Sequence, residues 1–303
     1  MSIHFKKHAH FLVLAAWLVW PAFLPAQDFT KVQIRTTKVA EGIYMLSGAG
    51  GNIGVSAGAD GILLIDSQFA QLYDKVKAAL AGIAPGPVRF LCNTNWHYDH
   101  VSGNEPFARA GAVIIAHENT RPRMITQQTH ADLGITLPPY PAAALPLVTF
   151  PDSFTIHFNG DDMQAIHIPA AHSDADLLFF FQKANVIHSG DLAFSGFYPY
   201  IDVAHGGSIN GVIRAVEQML ALGDADTQVI PGHGPLLKKS ALEPYRDMLV
   251  QVRNKVEALL KAGKNREEIL AAKPTADIDA RWQGSIPAAM FVTLIYESLL
   301  KDK

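Results

Sequence analysis

The 303-residue chain has one cysteine, Cys92. No internal disulfide can staple it, so the fold must rest on buried apolar surface. Charge is also sparse. Charged residues make up 17% of the chain against 49% hydrophobic ones, a balance that excludes an intrinsically disordered chain and allows a sizeable core. The formal net charge is −3, and no long basic run follows the first few residues. That excludes the electrostatic footprint of a nucleic-acid-binding surface. No repeat of fixed period is evident. The one long apolar run, "FLVLAAWLVWPAFLPA", is interrupted by Pro21 and is short for a bilayer span of ~20 residues. It follows a basic start containing Lys6 and Lys7 and ends before "QDFT". Residues 1–26 therefore read as a secretory signal peptide cleaved after Ala26, and the mature chain is expected to be periplasmic or secreted, without membrane association.

What is present is an interleaving of strands and helices. "GIYMLSG", "GNIGVSAG" and "GILLIDS" are short β-prone runs punctuated by Gly and Asp. "AQLYDKVKAALAGI" places Leu72, Val76, Ala79 and Leu80 on one helical face. "VRFLCNT" reads as a buried strand with Cys92 as a small core residue. "NEPFARAG" reads as a short helix, "AVIIAH" as a strand, and "ENTRPRMITQQTH" as a helix with an early proline. Residues 133–151 carry five prolines and read as a long loop, either a lid or a surface connector. Four strand candidates follow in "DSFTIHFNG", "MQAIHIPA", "ADLLFFFQ" and "ANVIHSGD", then the amphipathic helix "SINGVIRAVEQMLALG" and a last strand and turn in "TQVIPGHG". From Ser240 onward the chain reads as helical. Two clusters of strands with helices between them predict an α/β fold with two sheets inside and helices outside.

Four stretches put His and Asp at strand ends or turns: "HYDH" (97–100), "AHSDAD" (171–176), "SGDLAF" (189–194) and "PGHG" (231–234). Loops at strand ends are where functional groups usually sit. A core has no packing use for His97, Asp99 and His100 within four residues, whereas zinc takes imidazole nitrogen and carboxylate oxygen readily. Other residues have plainer readings. His188 reads as a buried neighbour of the site, and Trp96 and Tyr98 as packing behind it. His117, His130, His157 and His167 read as structural or solvated. Asp174 and Asp176 read as supports of the loop that carries His172. His205 and Tyr198 are candidates to line a substrate pocket, with surface and packing roles as the alternatives.

In these motifs the chain resembles the metallo-β-lactamase-fold hydrolases, over roughly residues 31–240. That family's pattern is H-x-H-x-D-H at a strand end, followed by a His, a "GD" Asp and a "PGHG" His. The resemblance implies a four-layer αββα sandwich. The implied organisation is a signal peptide over 1–26, a catalytic domain over 27–240 and a C-terminal helical extension over 241–303, the last a scaffold or dimer surface. It implies a first metal site of His97, His172 and Asp191 and a second of Asp99, His100, His233 and Asp191, for one or two zinc ions. This chain departs from the pattern at Asn95, where the first His belongs. An amide is a weaker ligand than imidazole, so Asn95 is read as a weak ligand or a substrate contact, and the second site as the better equipped. The implied function is a zinc hydrolase, β-lactamase-like, in which hydroxide on the metal attacks the carbonyl of a β-lactam amide, a lactone or another ester, with Asp99 orienting it. The implied partner is a small-molecule substrate. The alternative is a periplasmic metal-binding or accessory protein with little or no turnover.

Overall fold

The computed structural model describes residues 28–301. The expected signal peptide lies outside the described residues. The chain first builds a meander of antiparallel strands, β1 (Arg35–Ala40), β2 (Ile43–Ser47), β3 (Ile53–Gly58) and β4 (Gly61–Ile65). Helix α1 (Tyr73–Ala81) carries it across to β5 (Val88–Cys92), which runs parallel to β4. The short helices α2 (Tyr98–Val101) and α3 (Asn104–Arg109) lead to β6 (Val113–His117), parallel to β5.

The segment after β6 differs from its sequence reading. Helix α4 (Thr120–Met124) is only five residues long. The chain then turns into a small antiparallel hairpin, β7 (Gln128–His130) and β8 (Ile135–Leu137). The segment "QTH" pairs in a ladder where the spacing predicts a continuing helix. The proline-rich stretch is also shorter as a loop than expected, because β9 (Val148–Phe150) closes the first sheet against β6. The edge strand β1 gives no clear signal in the sequence, since none of its residues is buried.

The second sheet is β10 (Ser153–Phe158), β11 (Asp161–His167), β12 (Leu177–Phe181), β13 (Val186–Phe194), β14 (Gln228–His233) and the two-residue β15 (Leu237–Lys238), in that order. Helix α5 (Ile209–Ala221) connects β13 to its parallel neighbour β14. Helices α6 (Leu242–Lys261), α7 (Arg266–Ala271) and α8 (Ala288–Lys301) complete the chain.

Alternation along the strands explains the layering. In β4, Leu63 and Ile65 face the second sheet and pack with Phe179, Val186 and Ile230. Ile62 and Leu64 point the other way and pack with Val76 and Leu80 of α1 and Phe107 of α3. In β13 and β14, Ile187 and Val229 turn outward onto Val212, Leu249 and Ile295 of the helices. Both faces of both sheets are therefore buried, which is why these strands read as continuous apolar runs. The result is a four-layer αββα sandwich. Each such Leu or Ile contributes about 1.5–3 kcal/mol by its removal from water. Helices α6 and α8 share one core with α5 and the second sheet. No helix of the described residues is long and apolar enough to cross a membrane.

Candidate metal centre

The parallel strands end on one rim, where side chains from both sheets meet. From the end of β5 comes the turn carrying Asn95 and His97, and α2 supplies Asp99 and His100. The turn between β11 and β12 supplies His172, β13 supplies Asp191, and β14 ends at His233. A register shift in β13 around Gly190 re-aims the strand, as β-bulges do, and points Asp191 inward.

Asp191 is the hub. Its Oδ2 lies 3.1 Å from His100 Nε2 and 3.5 Å from His172 Nε2, and its Oδ1 lies 3.3 Å from His233 Nε2. Asp99 Oδ2 is 3.3 Å from the same His233 nitrogen. Two groups of donors come within 4.8 Å of one another here: His97, His172 and Asp191, and Asp99, His100 and His233. The fold thus brings together the residues of both implied sites, with Asp191 between the two groups. His100 Nε2 and Asp191 Oδ1 are buried without a hydrogen-bond partner. Buried polar atoms left unpaired cost free energy. Imidazoles with carboxylates at this spacing suit zinc, so the residues present fit a metal ion.

Behind His97, His100 and His172 stand carboxylates that the sequence reading does not assign to them or leaves unspecified. Asp66, at the end of β4, accepts from Thr94 N–H (2.8 Å) and Thr94 Oγ1 (2.7 Å) and lies 2.7 Å from His100 Nδ1. Asp176 accepts from Ser173 N–H at 2.6 Å and faces His172 Nδ1 at 3.2 Å. Asp202 lies 2.9 Å from His97 Nε2. Partners of this kind fix ring orientation and tautomer. Asp174 instead pairs with Arg123 at 2.7 Å. The only signal for Asp66 in the sequence is an ionisable residue directly after four buried apolar ones. Asp202 and His130 give none.

Charge follows from this crowding. Burial opposes an imidazolium at His100, but the carboxylates of Asp191, Asp66 and Asp99 outweigh it and hold its pKa well above the ordinary value. Burial likewise opposes the Asp191 carboxylate, and His100, His233 and His172 overcome it and hold its pKa well below the usual range. Burial pushes Cys92 up, in keeping with an inert core thiol at the end of β5.

Close approach explains two glycines. A Cβ at Gly51 would collide with the His100 ring, and one at Gly232 with Asp191 Oδ1. Asn52 holds the "PGHG" turn in place, its Nδ2 donating to the carbonyls of Pro231 (2.9 Å) and Gly234 (2.8 Å). His188 is structural: its Nδ1 accepts from Gly190 N–H and its Nε2 donates to Asn52 O, each at 3.2 Å.

Asn95 differs from both of its expected roles. It is fully buried, so it does not touch substrate from the cavity. Its Oδ1 accepts the backbone N–H of His97 at 2.8 Å, which fixes the amide orientation because only oxygen can accept there. The group facing Asp191 is therefore the NH2, with Nδ2 3.3 Å from Asp191 Oδ2. An NH2 has no lone pair for a metal. It donates to the carboxylate where the family's usual ligand would bring a cation.

The cavity over the centre is about 230 Å³ and is lined by His97, Tyr98, Asp99, Leu133, His172, Asp191, Phe194, Tyr200, His233, Ser285 and Ile286. The side chains of Asp99 and His233 are 17% and 23% exposed, whereas His100 is enclosed. Tyr98 thus lines the cavity instead of packing behind the site, and burial pushes its pKa up to about 12. Tyr200 also lines it, with its hydroxyl 3.1 Å from Asp132 Oδ1. Two expected pocket residues are elsewhere. Tyr198 is buried in the helical core, stacks on Phe291 and donates to Asp279 at 2.9 Å. His205 lies behind His97, against Asp202. Leu133, from the hairpin, and Ser285 and Ile286, from the C-terminal region, complete the wall. The last two show that this region does more than support the sandwich.

Comparison with known proteins agrees with the geometry. The family model described as the Metallo-beta-lactamase superfamily matches residues 47–233. Among solved structures, the stereoselective inverting sec-alkylsulfatase Pisa1 from Pseudomonas sp. is similar at 14% identity and TM-score 0.68, over 88% of this chain and 50% of that one. This chain therefore spans about half the length of that sulfatase. A metallo-beta-lactamase from Pontibacter korlensis is similar at 17% identity and TM-score 0.56, over 72% of this chain and 99% of the other. The DIM-1 metallo-beta-lactamase is similar at 15% identity and TM-score 0.57, over 72% and 98%. No curated protein matches. With its family model, its αββα sandwich and the buried His/Asp centre on the shared rim, the chain belongs to the metallo-beta-lactamase superfamily.

Proposed function

We propose that this protein is an exported, zinc-dependent hydrolase of small carbonyl compounds, with uncharged lactones or esters as its preferred substrates. The observation that carries this reading is Asp191 set among His100, His172 and His233, beside the partly exposed pair Asp99 and His233. Zinc, when bound, lowers the pKa of a water toward neutrality and polarises a carbonyl oxygen. The chain's own residues do the rest. Asp99, His100, His233 and Asp191 hold the ion. Asp99 faces the cavity and is placed to orient the attacking water and accept its proton. Phe194, Leu133 and Ile286 seat an apolar portion of the substrate.

The charge of the lining supports an uncharged substrate. Among the described residues that line the cavity, none is Lys or Arg. The carboxylate of a β-lactam antibiotic or the sulfate of an alkyl sulfate would meet no side-chain counter-charge there. At about 230 Å³ the cavity is also smaller than the ~300–1,000 Å³ typical of drug-sized ligand sites. Export is proposed from the basic start and short apolar run over residues 1–26.

The test is a turnover panel on the zinc-loaded protein: a chromogenic β-lactam, a neutral lactone, a neutral aryl ester and a secondary alkyl sulfate. The lactone or ester should be hydrolysed fastest, and activity should vanish on chelation. Preference for the β-lactam or the sulfate would reassign the substrate. No turnover at any zinc loading would favour the second reading, a metal-binding accessory protein, which the inward-turned amide of Asn95 supports.

A further inference from the structure

Behind the centre, on the far side of the His97 ring, lies a second group of donors that the hydrolytic reading does not use. His97 Nε2 and His205 Nδ1 each lie 2.9 Å from Asp202 Oδ2, and His205 Nδ1 also lies 2.8 Å from Asp202 Oδ1. The carboxylate can accept a hydrogen bond from both. His130 is left over. Its Nδ1 is 3.6 Å from Asp202 Oδ2, too far for a hydrogen bond. The residue is 2% exposed, and neither ring nitrogen has a hydrogen-bond partner. Trp96 stacks over the ring at 5.3 Å and keeps it in place. A buried, wholly unpartnered imidazole is costly, and such groups call for a missing ion or water. Donor atoms of His97, His130 and Asp202 lie within 4.8 Å of one another.

We propose that His97 Nε2, His130 Nδ1 and Asp202 form a buried site for a divalent transition-metal cation of the zinc class. Two imidazoles and one carboxylate are three of the four ligands of a tetrahedral zinc ion, with the fourth position left for water. The side of the centre nearest to it has only His97, His172 and Asp191, with the Asn95 amide turned to donate. A neutral imidazole carries one lone pair, so His97 serves one side at a time. Binding through Nε2 moves the His97 proton to Nδ1, while His205 Nδ1–H keeps its hydrogen bond to Asp202. The ring nitrogen lone pairs and the Asp202 carboxylate then form the bonds to the cation, and no redox change occurs. His97 thereby turns from the first site, where the Asn95 amide only donates, to the enclosed one. The second site, on Asp99, His100 and His233, shares no residue with the enclosed site and keeps its own ion.

The test is a zinc titration of the chelator-stripped chain, with cobalt(II) absorption as a second readout, in wild type and three variants. Wild type should bind two ions. His233→Ala should lose one of them. His130→Phe should lose the other, with its affinity falling at least tenfold and a tetrahedral cobalt band disappearing. His172→Ala should keep the ion that His130→Phe loses. If His130→Phe does not fold by near-ultraviolet circular dichroism, His130→Gln carries the same expectation, since an amide is a weaker ligand than imidazole. The proposal is overturned if wild type binds one ion only. It is equally overturned if the folded variant binds both ions as wild type does, or if His172→Ala removes the same ion that His130→Phe loses.

Discussion

The two sides of the metal centre share one carboxylate and differ in their donors. On one side Asp99, His100 and His233 surround Asp191, and two of the three open onto the cavity. On the other side His97 and His172 face Asp191, and the position that would add an imidazole holds an amide whose NH2 already donates to that carboxylate. The difference shows that a ligand exchange need not leave a vacancy. A hydrogen-bond donor in the ligand's place stabilises the same carboxylate, so the buried arrangement survives without an imidazole there. Metal affinity and activity should therefore belong mainly to the Asp99 side.

The largest expected effect comes from breaking that side. His233→Ala and Asp99→Ala should each weaken zinc binding at the centre by about 100-fold or more, on the scale of ~2.7 kcal/mol, and abolish turnover. His172→Ala should weaken binding there by no more than about tenfold. Equal losses from the two sides would remove the asymmetry. The supporting carboxylates sharpen the same contrast. Asp66→Asn, behind His100, should cost about 10–100-fold in zinc affinity, as loss of such a partner typically does, while Asp176→Asn, behind His172, should cost less. Competition against a chromogenic chelator measures both.

Much of this centre is legible in the amino-acid sequence, because its His and Asp residues stand at the ends of apolar runs, where strands meet loops. Asp99, His100, His172, Asp191 and His233 meet on one rim, and the two clusters of strands become the two sheets of the sandwich. What stays hidden in the sequence depends on convergence between distant segments. Asp66 reaches His100 from another strand, Asp202 reaches His97 across more than a hundred residues, and His130 sits beside both only because a hairpin stands where the spacing predicts a helix. The amide orientation of Asn95 is equally invisible there, since it is set by a backbone N–H two residues away. Tyr198 reads as a pocket candidate because tyrosines on a loop near a site invite that reading, but its hydroxyl satisfies Asp279 in the helical core.

Smaller effects test the edges of the comparison. Asn95→His removes the donor to Asp191 and adds an imidazole beside His97 and His172. It should tighten binding of an ion on that side by about tenfold, or ~1.4 kcal/mol, in side-by-side titration, without a required gain in activity. An unchanged isotherm would mean that the amide is not what depletes this side. Tyr198→Phe lies outside the centre. It should lower stability by about 1 kcal/mol, the net worth of one hydrogen bond, with KM and zinc affinity unchanged. A changed KM would return Tyr198 to the pocket.

The most direct test of the asymmetry is an anomalous difference map at the zinc absorption edge from crystals of the zinc-loaded protein. A strong peak is predicted among Asp99, His100, His233 and Asp191, with none of comparable height between Asp191, His97 and His172. Two equal peaks flanking Asp191, or a single peak on the Asn95 side, would contradict the account.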